Sequence, residues 1–163
     1  MAVKINQMNI KFKIASSISE FDDGRNLFRQ YADSLNINIY SKAIYPELIT
    51  VDKRYNLPDG ALLLVYDNNV AIGCAAIQKF NKSTAELKRF FIQTKYKGYK
   101  IGVNLLELAF DIAKELNYSS MRLDVRPSLT QTRSLFRSLG FYETSSYGFT
   151  GTQKTTFMEK TLV

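Results

Sequence analysis

Between Glu86 and Glu107 the chain reads ELKRFFIQTKYKGYKIGVNLLE: a buried-strand pattern, a lysine-rich turn with two glycines, then an amphipathic helix. This junction constrains the fold more than any other stretch. The first amides of a helix entered from such a turn have no internal partners and point one way, so the positive end of the helix dipole faces whatever lies at the turn. A phosphate or diphosphate suits that position. Gly98 and Gly102 would let backbone approach the anion without a Cβ in the way, and Lys95, Lys97 and Lys100 add full charges around it. Glycines also serve simple turns, and that alternative stands beside the phosphate reading.

The charge distribution supports a ligand. Of a net charge of +7, most of the excess falls between Lys79 and Lys100, where Lys79, Lys82, Lys88, Arg89, Lys95, Lys97 and Lys100 face Glu86 alone. A basic run by itself reads as a solvated face. Placed on a strand, a glycine turn and a helix, it points to a polyanion.

At 163 residues, with 45% hydrophobic and 13% aromatic side chains, the chain suits one domain over residues 1–163 with a substantial core. The opening MAVKINQMNIKFKI carries lysines at short intervals, and no later run reaches the ~18 apolar residues of a membrane span, so a soluble, cytoplasmic protein without membrane association is expected. Cys74, in VAIGCAAI, is the single cysteine; it excludes an internal disulfide and a cysteine zinc cluster and reads as a small core residue. There is no histidine. Ser/His/Asp and Cys/His catalysis are therefore excluded, no metal is expected, and proton transfer falls to carboxylate, tyrosine, lysine, thiol or water.

MNIKFKI reads as a first strand, and Ser19 with Asp22 as a capping box for a helix whose apolar face includes Phe28, Tyr31, Ala32 and Leu35. An irregular or helical piece from Ser41 to Val51 leads to a turn at Pro58, Asp59 and Gly60. ALLLVY and VAIGCAAIQ form a hairpin through Asp67, Asn68 and Asn69, and a third strand covers Thr84 to Gln93. The long helix places Leu105, Leu106, Ala109, Ile112, Ala113 and Leu116 on one side. MRLDV is a buried strand that Pro127 ends, a helix runs from Leu129 to Leu139 with Gly140 as its left-handed cap, and strands follow near Phe141–Thr144 and Thr155–Leu162.

The segment ELKRFFIQTKYKGYKIGVNLL resembles the central Q/RxxGxG/A motif of the acetyl-coenzyme-A-dependent N-acetyltransferases, the GNAT superfamily. MRLDVRPSLTQTRSLFRSLGFYE is similar to the strand and helix that follow it there and end in LGF. The likeness covers about Leu62 to Glu143, with the earlier residues adding topology. It implies an α/β fold of α+β type: a mixed, mostly antiparallel central sheet of six to seven strands with helices on both faces. It also implies acetyl-CoA as co-substrate. Phe91, Ile92 and Gln93 would meet the pantetheine arm, the turn Lys97, Gly98, Tyr99, Lys100, Ile101, Gly102 and Val103 would wrap the diphosphate, and Ser134 and Arg137 would lie beside the same cofactor.

Within the resemblance, Glu86 stands where several members keep a carboxylate base; its other reading is a strand carboxylate paired with Lys88 or a neighbouring strand. Lys100 replaces the motif's second glycine, and Lys97 gives a point charge where arginine is usual. Phe136 occupies the place of a tyrosine that protonates the leaving thiolate, which leaves Tyr142, more naturally a packing residue, and Tyr147 for that role; Tyr147 is preferred. The acceptor would bind between the region of Tyr40, Tyr45 and Tyr55 and the loop Ser145 to Lys154. The leading expectation is acetyl transfer to a small-molecule amine or amino acid by direct attack. A peptide N-terminus or lysine as acceptor, and a noncatalytic acyl-CoA or nucleic-acid binding module, are the alternatives. Nucleic acid is disfavoured because the charge gathers at one turn instead of along a face, and a monomer or homodimer is expected.

Overall fold

A computed structural model of the chain describes residues 7–144 and 155–163. Its elements in chain order are β1 (Ile10–Ile14), α1 (Ile18–Ser34), the short helices α2 (Tyr45–Leu48) and α3 (Val51–Arg54), β2 (Ala61–Asp67), β3 (Val70–Lys79), β4 (Thr84–Ile92), α4 (Ile101–Glu115), β5 (Ser120–Val125), α5 (Thr130–Ser138), β6 (Tyr142–Thr144) and β7 (Thr156–Thr161). The seven strands form one sheet in the order β1-β2-β3-β4-β5-β7-β6, and every neighbouring pair is antiparallel except β4 with β5. The expected mixed, mostly antiparallel sheet is present.

Period-two alternation sorts the sheet residues onto two cores. In β2, Ala61, Leu63 and Val65 face the side covered by α4 and α5, while Leu62, Leu64 and Tyr66 face α1, α2 and α3. Both faces are thus dry, which explains why ALLLVY reads as a continuous apolar run. From α4, Leu105, Leu106, Ala109 and Ala113 are completely buried against one face; from α1, Phe28 and Ala32 are equally buried against the other.

The helix starts differ from the sequence reading in one place. The capping box of α1 is Ser17 with Glu20, not Ser19 with Asp22: Ser17 Oγ accepts from the Glu20 amide at 3.2 Å, and Glu20 Oε1 accepts from the amides of Ser16 at 2.9 Å and Ser17 at 3.0 Å. Glu20 also pairs with Lys13 of β1, and these contacts hold its carboxyl at about 2, with the Lys13 bond the largest cause. Asp22 turns outward to Arg25, which donates to it at 2.7 Å. At the far end, Gly140 closes α5 as expected, with φ +98°; its amide donates to Arg137 O at 3.1 Å and the Phe141 amide to Phe136 O at 3.0 Å.

Candidate active site

β4 pairs in parallel with β5 over only Thr84–Ser120, Ala85–Met121 and Glu86–Arg122. Beyond Glu86 the two strands have no ladder between them, so backbone groups along the rest of that edge of β4 are left without strand partners. A bulge accompanies the separation. On β3 the register passes from Cys74 to Ala76 while on β4 it passes from Phe91 to Lys88, so β4 carries one extra residue. Arg89, within that bulge, has φ +56°, a conformation that costs a non-glycine residue about 1–2 kcal/mol and persists only where its surroundings enforce it.

The enforcement comes from Glu47 of α2, a carboxylate only 3% exposed. Arg89 Nε donates to Glu47 Oε2 at 2.7 Å and Arg89 Nη2 to Oε1 at 3.0 Å, while Lys88 Nζ lies 3.5 Å from Oε1. Burial pushes the Glu47 carboxyl up, but hydrogen bonds and charge from Arg89, with Lys88 behind, outweigh it and hold the group below its ordinary value. The Arg89 carbonyl accepts from Cys74 Sγ at 3.2 Å. Burial drives the Cys74 thiol well above its usual range, so it serves as a core residue, as its sequence context suggests.

A cavity of about 400 Å³ opens where β4 leaves β5. β4 and the following turn line it with Phe90, Phe91, Ile92, Thr94, Tyr96, Lys97, Gly98 and Lys100, and the start of α4 with Ile101, Gly102 and Val103. Leu129, Gln131, Thr132 and Leu135 close it from the α5 side. Lys100 is the N-cap of α4 in a left-handed conformation, φ 62°, and caps nothing with its side chain. The first intrahelical acceptance is Asn104 N to Lys100 O at 3.0 Å, so the amides of Ile101, Gly102 and Val103 are free of helix partners and face the turn. Their direction and the lysines fit a diphosphate. Tyr96 secures the turn from below, donating to Asp67 Oδ2 at 2.5 Å; this bond lowers the Asp67 carboxyl, while burial and Asp67 push the Tyr96 phenol up to about 12.

The two glycines divide the work differently from the sequence reading. A Cβ at Gly98, φ +92°, would meet nothing within 4 Å, so this glycine answers a backbone requirement and leaves the turn open. A Cβ at Gly102 would stand 3.1 Å from the Phe90 ring. Gly102 therefore lets α4 sit close on β4.

A second, polar cavity of about 160 Å³ lies in the widening gap between β4 and β5. Lys88 and Arg89 face it from β4, Asp124 from β5, and Arg126 from just beyond β5, with Thr155 at the start of the β7 approach. Tyr31, Phe90, Leu129 and Thr132 line both cavities and so mark where they meet. Tyr31 is held there by Phe91, edge to face at 6.3 Å between centroids, and by the Arg89 guanidinium 5.6 Å over its ring. Burial raises its phenol, opposed by Arg89 and Arg126 and assisted by Asp124, so the hydroxyl is protonated at neutral pH.

The residues named from the sequence divide between cavity and surroundings. Phe91, Ile92, Lys97, Gly98, Lys100, Ile101, Gly102 and Val103 line the larger cavity. Gln93 instead donates through Nε2 to Gln30 at 2.9 Å, and Tyr99 packs partly buried against the α4 core. On α5 the cavity takes Thr132 and Leu135, three residues apart on one stripe; Ser134 is exposed beside them, and Arg137 pairs with Glu143. Glu86 lines neither cavity: Gln78 Nε2 donates to it at 2.6 Å, one ladder step inside the point where the strands part. Phe136 is buried between Phe90 and Phe141 and forms an apolar wall of the polar cavity. Tyr147 and the loop Ser145 to Lys154 lie outside the described residues. Tyr55 is completely buried against Phe28, Tyr40 and Tyr45 pair with each other at the surface, and Tyr142 is 52% exposed on β6 and not a packing residue.

Tyr31, Asp124, Arg126 and Glu47 were not singled out as site residues by the sequence. Tyr31 fits the apolar face of α1 and gives no local sign that this face runs on past the sheet into a cavity. Asp124 gives no sign either: with Arg122 it fills the polar face of a strand whose Met121, Leu123 and Val125 are buried.

The sequence pattern of the acetyltransferase (GNAT) family matches residues 26–141. An uncharacterized N-acetyltransferase of Schizosaccharomyces pombe is 28% identical over 141 residues, covering 85% of this chain and 86% of its own. Among solved structures, an acetyltransferase of the GNAT family from Staphylococcus aureus superposes with a TM-score of 0.81 at 19% identity, covering 95% of this chain and 100% of its own. The PaiA N-acetyltransferase of Thermoplasma acidophilum, solved in complex with coenzyme A, superposes with a TM-score of 0.69 at 22% identity, covering 94% of this chain and 99% of its own.

Proposed function

The chain belongs to the acetyltransferase (GNAT) family, and from that premise we propose that it moves an acetyl group from acetyl-CoA to the primary amine of a small molecule or amino acid. One observation carries this reading: the apolar cavity that starts at the free amides of α4 ends, at Tyr31, Phe90, Leu129 and Thr132, against a polar cavity. A long acyl donor and a small acceptor would meet there.

Acetyl-CoA supplies an activated acetyl thioester. The amides of Ile101, Gly102 and Val103, with Lys97 and Lys100, hold its diphosphate, and the unpaired edge of β4 around Phe91 and Ile92 guides its arm toward the gap. Asp124 holds the acceptor ammonium and takes a proton at its carboxylate. Glu86 lies on the same face of the sheet, its strand neighbour Arg122 being two residues from Asp124, and receives that proton through water. The neutral amine then attacks, Tyr31 gives its hydroxyl proton to the departing sulfur, standing in for the tyrosine that Phe136 replaces, and the Tyr31 phenolate takes the second proton from the acylated nitrogen. Positioning both substrates in one gap removes most of the entropic cost of their encounter.

Thermal shift with acetyl-CoA, CoA and duplex DNA, followed by a thiol-release assay over an amine panel, tests the reading. Stabilisation by both CoA species and release of thiol with some amine support it; a shift with DNA alone would overturn it.

A further inference from the structure

The polar cavity holds two charges that the described residues leave unanswered. Of its cations, Lys88 and Arg89 are already engaged by Glu47. Among the described residues, the side chains of Asp124 and Arg126 have no ion-pair or hydrogen-bond partner, yet both line the cavity and both act on the Tyr31 phenol. Asp124 is exposed and Arg126 half-buried, so each is open to a ligand. One negative and one positive group, two residues apart, face the same small space.

We infer that the acceptor is an α-amino acid in its zwitterionic form, its ammonium on Asp124 and its carboxylate on the Arg126 guanidinium. Two residues along an extended chain span about 6.6 Å, which suits a ligand whose own charges are adjacent and is too short for a long diamine. Guanidinium presents a planar fork that matches a carboxylate through two parallel hydrogen bonds. The cavity, at about 160 Å³, has room for the volume of roughly five liquid waters, enough for the charged head of an amino acid. A plain amine would leave Arg126 facing an apolar group, and a site built to bond a polar group discriminates strongly against a ligand lacking it. The inference rests on the acetyltransferase reading and narrows its acceptor.

The test compares L-amino acids with their α-amides and with the decarboxylated amines of the same side chain. It uses the full chain, by thiol release and by thermal shift in saturating CoA. The expected result is at least a tenfold higher kcat/KM for the best free acid over its amide, and a further thermal shift with the acid alone. Arg126→Gln should erase that preference by raising the KM of the acid to that of its amide, and Arg126→Lys should restore part of it. Equal use of acid and amide by the wild-type protein, or an unaltered preference in a folded Arg126→Gln variant, would overturn the inference and leave acetyl transfer standing. Thiol release with none of the compounds would overturn both.

Discussion

Arg89 Nε donates to Glu47 Oε2 at 2.7 Å, and through this bond a buried carboxylate on a four-residue helix fixes the backbone of the strand that opens the site. The pair explains a left-handed arginine in a β-strand. It also couples the α1–α3 side of the sheet to the place where β4 and β5 part.

Removing the carboxylate should therefore cost both stability and binding. Glu47→Ala leaves Arg89 buried and unanswered, a change worth roughly 3–5 kcal/mol when a buried pair is broken. Urea denaturation should show a loss of that order, and acetyl-CoA should no longer raise the melting temperature as in the wild type. Stability within 1 kcal/mol of the wild type would refute the role given to this pair.

At Lys100 two effects of opposite sign can be separated. Its left-handed backbone favours glycine, so Lys100→Gly should gain about 0.5–1 kcal/mol, the relief of strain exceeding the added freedom of the unfolded chain. The same change deletes a cation from the turn proposed to hold the diphosphate. Chemical denaturation should rise while the Kd for acetyl-CoA weakens, most visibly at low ionic strength.

Gly98→Glu places a carboxylate in open space at the same turn and in a conformation that only glycine adopts freely. The expected outcome is a folded protein, by circular dichroism, that no longer responds to acetyl-CoA in thermal shift. A wild-type response would remove the diphosphate from this turn.

Asp124 and Glu86 should differ in weight. Asp124→Asn is expected to lower kcat/KM by about 10²–10⁴, the range for loss of a general base. Glu86→Gln, acting through water and already bonded by Gln78, should lower it by less than about tenfold with acetyl-CoA binding intact. Steady-state kinetics across pH decides between them; the reverse order would make Glu86 the base.

Acid stability should report Glu20. Its carboxyl, held at about 2 against an ordinary 4.5, contributes stability that is complete above 4.5 and is lost as pH falls toward 2. Glu20→Gln should lower the melting temperature at pH 7 by a few degrees and flatten its decline between pH 4.5 and 2. An unchanged slope there would mean that Lys13 and the cap do not hold the charge.

The strands and helices were legible because each carries its own periodicity: ALLLVY and the Leu105–Ala113 stripe announce a two-faced sheet and its covering helix. The glycine turn that opens α4 was legible because a local junction creates it. The polar cavity was not, since Tyr31, Arg89 and Asp124 come from three separate elements and meet only where β4 and β5 stop pairing, a feature of register that no single segment encodes. Ser19 and Asp22 repeat the spacing of Ser17 and Glu20 two residues on, so spacing alone does not select the true box.

The parallel ladder of just three pairs leaves the two cavities drawing on different stretches of chain: residues 90–103 for the larger, 124–126 for the polar one. Under the proposed function, substitutions at Asp124 and Arg126, on either side of the buried Val125, can retune which amine is accepted without disturbing the grip on the nucleotide or either hydrophobic layer. A lineage built on this frame can diversify its chemistry of acceptors by altering a handful of side chains beside an incomplete seam.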